Sequence, residues 1–114
     1  MSKRIIQINE LIRAHLGEIF AHEVNLKPGV LATITKVDTT PDLRRSDVLV
    51  SVFPESEERY VMKTIANEKH SIQKALHEKL YMKPLPKLSF SFDPTESKAD
   101  EIERILKGLE KGEI

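Results

Sequence analysis

The chain has no cysteine and no tryptophan, and only six of its 114 residues are aromatic, four Phe and two Tyr. Without cysteine there are no disulfides and no thiolate metal ligands, a composition at home in a reducing cytoplasm. So few aromatics leave no base-stacking platform of the kind single-strand binders use. No apolar run approaches the ~20 residues of a membrane helix. The opening MSKRIIQINELIR is amphipathic and carries no signal-peptide core, so the expected location is cytoplasmic, away from any membrane. Net charge is also lacking, with 18 basic residues against 18 acidic ones, which argues against a generic polyanion binder. There is no P-loop, dinucleotide fingerprint or nucleophile elbow, and no convergent acid pair, so no enzyme, cofactor or small-molecule substrate is expected. His15 and His22, like His70 and His77, are seven apart, but no Cys or carboxylate cluster at ligand spacing accompanies them, so no metal site is expected.

What remains is enough for one domain with one core. Ile5, Ile8, Ile12, Leu16 and Ile19 recur at three- and four-residue spacing, which predicts a helix over 2–23. Pro28 and Gly29 follow as a turn. The β-branched run Val30–Val37 predicts a strand. After the turn-forming DTTPDLRR, the alternation of Val48, Val50 and Val52 predicts a second, antiparallel to the first. Ser56 is placed to cap a helix running to about Met82, where Pro84 and Pro86 end it. KLSFSFD alternates Leu88, Phe90 and Phe92 against Ser89 and Ser91, the clearest strand signal in the chain. Ile102, Ile105, Leu106 and Leu109 predict a short C-terminal helix over 97–111. The fold class is α+β, with helices on one face of a small sheet. Residues 1–94 form the main unit, and 95–114 a C-terminal amphipathic helix and tail of the same domain.

On an ideal helix over 57–82, Val61, Ile65, Ile72 and Leu76 share one side. Lys63, Asn67, His70, Lys74 and His77 share the other. The apolar stripe meets Glu68 and Lys69 where it should continue. That interruption suits either a bend or charged side chains snorkelling from a core edge. Within 63–87 there are six lysines and two glutamates, a local basic patch on a neutral chain. By contrast, residues 93–114 carry seven acids and four bases.

The stretches ITKVDTTPDLRRSDVLVSVF, LPKLSFSFD and KRIIQINELIRAHLGEIF, in their order, resemble the ribosome-binding factor A family, a type II KH-like domain. The resemblance runs from Arg4 to Pro94. It implies the order helix–strand–strand–helix–kink–helix–strand, and a monomer that binds the immature small ribosomal subunit and its 16S rRNA. Its implied role is to assist rRNA maturation without catalysis, most of all in the cold. The family's Ala-x-Gly kink falls on Glu68-Lys69-His70, which lack both residues, and Ser46 stands where the family usually has Ala.

With that resemblance, the candidate RNA-binding residues are Lys63, Lys69, His70, Lys74 and Lys79 beside the expected kink, with Arg44 and Arg45 in the loop between the strands. Lysines beside exposed backbone N–H groups neutralise phosphates. The same residues also make an ordinary solvated helix face. The alternative function is a protein–protein adaptor on the same scaffold, with no RNA role.

Overall fold

The computed structural model describes residues 2–80 and 85–94. The helix α1 spans Lys3–Glu23 and β1 spans Leu31–Thr39. After β2 (Arg45–Phe53), a 3-10 turn at Glu55–Glu57 leads into α2 (Glu58–Lys79), and β3 spans Lys87–Phe92. The expected C-terminal helix over 97–111 lies outside the described residues.

Sequence accounts for the start of α1 directly. The Ser2 side chain accepts a hydrogen bond from the Ile5 backbone N–H at 3.2 Å, satisfying a donor that a helix N-terminus otherwise leaves open. Ile5, Ile12, Leu16, Ile19 and Phe20 are buried, while Leu11 is exposed. The chain then turns through Lys27–Val30, where the Val30 N–H donates to the Lys27 carbonyl at 3.2 Å. Gly29 has a φ of +85°, the conformation required at the third position of a type II turn, with Pro28 at the second. Lys27 latches this turn to α2. Its ammonium pairs with Glu57 at 2.8 Å and lies over the Tyr60 ring, and its backbone N–H donates to the Tyr60 hydroxyl at 3.0 Å.

The sheet order is β1-β2-β3. As expected, β1 and β2 are antiparallel; β3 joins the other side of β2 in parallel, with α2 supplying the crossover that parallel strands need. Val48, Val50 and Val52 are buried toward the helices. They share one core with Ile12, Leu16 and Ile19 of α1, Ile65, Ile72 and Leu76 of α2, and Leu88 of β3. Phe90 and Phe92 are only half-buried at its border, the Phe90 ring tilted against Phe20 at 5.8 Å.

Two expectations are corrected. Ser56 does not cap α2. It lies inside the 3-10 turn, and the residue before the helix, Glu57, makes no side-chain capping bond; Pro54 starts the turn before a regular helix can begin. Nor is α2 divided into two helices at Glu68-Lys69-His70, since residues 58–79 are one continuous α-helix. Its buried residues Val61, Ile65, Ile72 and Leu76 fall within about 60° of one another at ~100° per residue. Glu68, on that stripe, is half-buried and Lys69 exposed. Snorkelling, not a break, accounts for the interruption. No Gly or Pro lies within the helix to end it.

A candidate nucleic-acid interface

The outer face of α2 presents Lys63, Asn67, His70, Lys74 and His77, all exposed. This follows from spacing, since each lies opposite the buried stripe on a 3.6-residue helix. Beside that face, between α2 and the start of β3, runs a groove of about 630 Å³. Lys69, His70 and His77 line it from the helix, with Lys87 on the strand side and Ala66 and Leu85 supplying apolar wall. Among the described residues, Lys63, Lys69 and Lys74 form no ion pair.

Gln73 joins the two walls. Its amide Nε2 donates to the Pro86 carbonyl at 2.9 Å, and its Oε1 accepts from the Leu88 N–H at 3.1 Å. On the other side of the same strand, the Lys87 N–H donates to the Arg44 carbonyl at 2.9 Å. Lys87 is therefore next to the hairpin that carries Arg44 and Arg45, and Arg45 is its register partner.

That hairpin is well ordered by its own side chains. The Leu43 N–H donates to the Thr40 carbonyl at 2.8 Å, closing a turn with Pro41 at its second position. The Asp42 carboxylate accepts from the Thr40 hydroxyl at 2.6 Å and from the Arg44 N–H at 3.1 Å. These bonds, the Thr40 one foremost, together with the nearby Arg44 charge, hold its pKa below the usual carboxylate value. Arg45 is engaged with Asp47 in a two-pronged pair, Nε to Oδ1 and Nη2 to Oδ2, both at 3.1 Å. Arg44 is exposed and makes no ion pair among the described residues.

The candidates thus divide. Lys69 and His70 line the groove, Lys63 and Lys74 continue along the outer helix face, and Arg44 and Arg45 adjoin it through Lys87. Lys79 stands apart: eighteen residues after Val61, it has come round to the helix side facing α1, where it pairs with Glu18 at 3.6 Å. Of the groove residues outside the sequence candidates, Lys87, His77 and Gln73 bear on the site. Lys87 is hidden as the first residue of an alternating strand, and its nearness to Lys69 exists only in three dimensions. His77 shares the helix face of His70 at seven-residue spacing, which is a usable signal. Gln73 carries none.

A second polar arrangement ties the hairpin to α1. Asn9 Oδ1 accepts from the Thr39 N–H at 2.9 Å, and the Thr39 and Ser46 hydroxyl oxygens are 2.8 Å apart. Ser46 is fully buried, so the hydroxyl at this position comes with its own partner. Among the described residues no helix is long and apolar enough to cross a membrane, and no group of three or more His, Cys, Asp or Glu side chains is placed to hold a metal ion.

Comparison with known proteins places the chain in a family. The chain is similar to the ribosome-binding factor A of Pelagibacter ubique, 32% identical over 114 residues that cover 97% of this chain and 93% of that one. It is also 32% identical to the ribosome-binding factor A of Chlorobium phaeobacteroides, covering 97% of both. Its fold is similar to the crystal structure of ribosome-binding factor A from Thermus thermophilus, with a TM-score of 0.67 and 21% identity over 77% of this chain and 93% of that one. A Thermus thermophilus homology model fitted into the cryo-EM map of a 30S–RbfA complex superimposes with a TM-score of 0.64 at 22% identity, over 75% and 91% of the two chains. The family model described as ribosome-binding factor A matches residues 4–106, and with that match over most of its length the chain belongs to the ribosome-binding factor A family.

Proposed function

We propose that this protein binds the small ribosomal subunit through its RNA and assists 16S rRNA maturation without catalysis. The observation that carries the reading is the grouping of lysines, with histidines among them, along one groove and helix face. Lys69, His70, Lys87 and His77 line one groove, Lys63 and Lys74 extend it along α2, and the Lys87–Arg44 backbone bond brings the hairpin arginines to its end. Lysines spaced along a groove suit RNA backbone, because each neutralised phosphate releases condensed counterions. Family membership supplies the target, since a relative's model is fitted into a 30S complex. The scarcity of aromatics favours recognition of shape and backbone over stacked bases.

The test is sedimentation of native lysate, with the fractions probed for this chain. Travel with free or immature small subunits, and absence from translating ribosomes, is the expected result. Retention at the top of the gradient at low salt and in the cold would count against the reading. Lys74→Glu should weaken subunit binding and leave folding intact, because the side chain is exposed and forms no ion pair among the described residues.

The adaptor reading has one observation of its own. Leu31 and Phe53 are cross-strand partners at the end of β1 and β2, and they are 63% and 65% exposed. Paired exposed apolar side chains suit a protein contact. Binding to a protein that survives high salt and ribonuclease, and is lost in Phe53→Ser, is what that reading expects.

A further inference from the structure

Gln73 is a half-buried polar residue on α2 whose side-chain hydrogen bonds, among the described residues, go to backbone alone. In a strand, the N–H and C=O of one residue point to one edge and those of its neighbours to the other. The Lys87 N–H is taken by Arg44 of the β2 hairpin. The Pro86 carbonyl and the Leu88 N–H therefore face the outer edge of β3, and Gln73 takes both. Its primary amide acts there as one peptide unit of a missing fourth strand, satisfying groups that an edge otherwise leaves open. The residue clamped between these bonds is Lys87, the strand-side cation of the groove.

We propose that Gln73 is the positioning residue of the interface, holding the start of β3, and with it Lys87, beside α2 so that the helix lysines, Lys87 and Arg44 form one surface for RNA phosphates. The proposal rests on the RNA reading above. It follows from which atoms are bonded. A residue needed only for packing would present hydrocarbon, whereas Gln73 uses both ends of its amide on the two peptide groups that flank one lysine. No other side chain among the described residues bonds the backbone of β3 from α2. A Met at position 73 keeps length and helix propensity and loses both bonds.

The experiment measures binding of the full chain to purified small ribosomal subunits between about 50 and 200 mM salt. The variants are Gln73→Met, Lys87→Gln and the double substitution. Lys87→Gln should weaken binding several-fold and reduce the slope of log affinity against log salt by about one, the signature of one lost phosphate contact. Gln73→Met should reduce the slope in the same way despite keeping every charge, and the double variant should bind no more weakly than Lys87→Gln alone. Amide exchange at Leu88 should quicken in Gln73→Met while the α1 and β2 amides stay protected. If Gln73→Met does not fold, Gln73→Asn, one methylene too short to reach the strand, replaces it in the same cycle. An unchanged salt slope with reduced stability, or losses that add in the double variant, would overturn the positioning role. An unchanged slope in Lys87→Gln would instead overturn the groove as an RNA site, and the positioning role with it.

Discussion

Thr39 and Ser46 face each other across the β1–β2 ladder with their hydroxyl oxygens 2.8 Å apart, 4% and 0% exposed. Each is the other's side-chain partner, so neither hydroxyl is left dry and unpaired. Ser46→Ala should therefore destabilise the fold by ~1–2 kcal/mol, mostly through the orphaned Thr39 hydroxyl. Adding Thr39→Val should recover most of that loss, since the Asn9 bond goes to the Thr39 backbone and persists. Urea denaturation of the two singles and the double closes the cycle; purely additive losses would mean that the pair is not coupled.

Asp42 gives the hairpin a dependence on acid. Its folded pKa is depressed below 3.8 by the Thr40 hydroxyl, the Arg44 N–H and the Arg44 charge. The folded state then binds fewer protons than the unfolded one near that value, so the contribution is fully present above the unfolded pKa. It is lost as pH falls through the folded pKa. Asp42→Asn keeps an acceptor oxygen and removes the charge. Its stability should lie below wild type at about pH 6 and converge with it as the medium becomes strongly acid. Parallel curves would assign the acid response to other carboxylates.

Continuity of α2 through residue 70 has a direct consequence for substitution. In a continuous helix with φ below zero at this position, His70→Gly should be about 0.5–1 kcal/mol less stable than His70→Ala. Thermal melts compare the two. A glycine variant as stable as the alanine one would reveal a bend at this site.

Leu43 has a φ of +61°, a left-handed conformation that costs an ordinary side chain roughly 1–2 kcal/mol. Comparing Leu43→Gly with Leu43→Ala removes the side chain in both and isolates the backbone. The glycine variant should be the more stable by about 1 kcal/mol. Equal midpoints in denaturant would show that the loop changes shape when Leu43 is truncated.

Much of the fold is legible without coordinates, because its signals are periodic. The isoleucine spacing of α1 and the valine and phenylalanine alternation of β2 and β3 arise from which face of each element is buried. The outer-face polar residues are legible for the same reason, since Lys63, His70 and Lys74 lie opposite an apolar stripe. The charged interruption at Glu68-Lys69 misleads, because a half-buried glutamate and a broken helix leave the same local pattern. The Ser56 cap fails because Pro54 imposes a tighter turn first. Gln73 and Lys87 escape entirely: fourteen residues and a chain reversal separate them, and only tertiary packing makes them neighbours.

The parallel placement of β3 beside β2 also sets an order in time. The hairpin of β1 and β2 closes from neighbouring segments, whereas β3 must wait for the whole of α2 to be made and to fold back. A chain still being synthesised, with α2 emerged and Leu88 still inside the tunnel, has its helix cations and no strand to set against them. The groove comes into being only when the last strand docks. On the proposed reading, a chain without its last strand carries the helix lysines but no groove, and binding to the small subunit then waits on completion of the sheet.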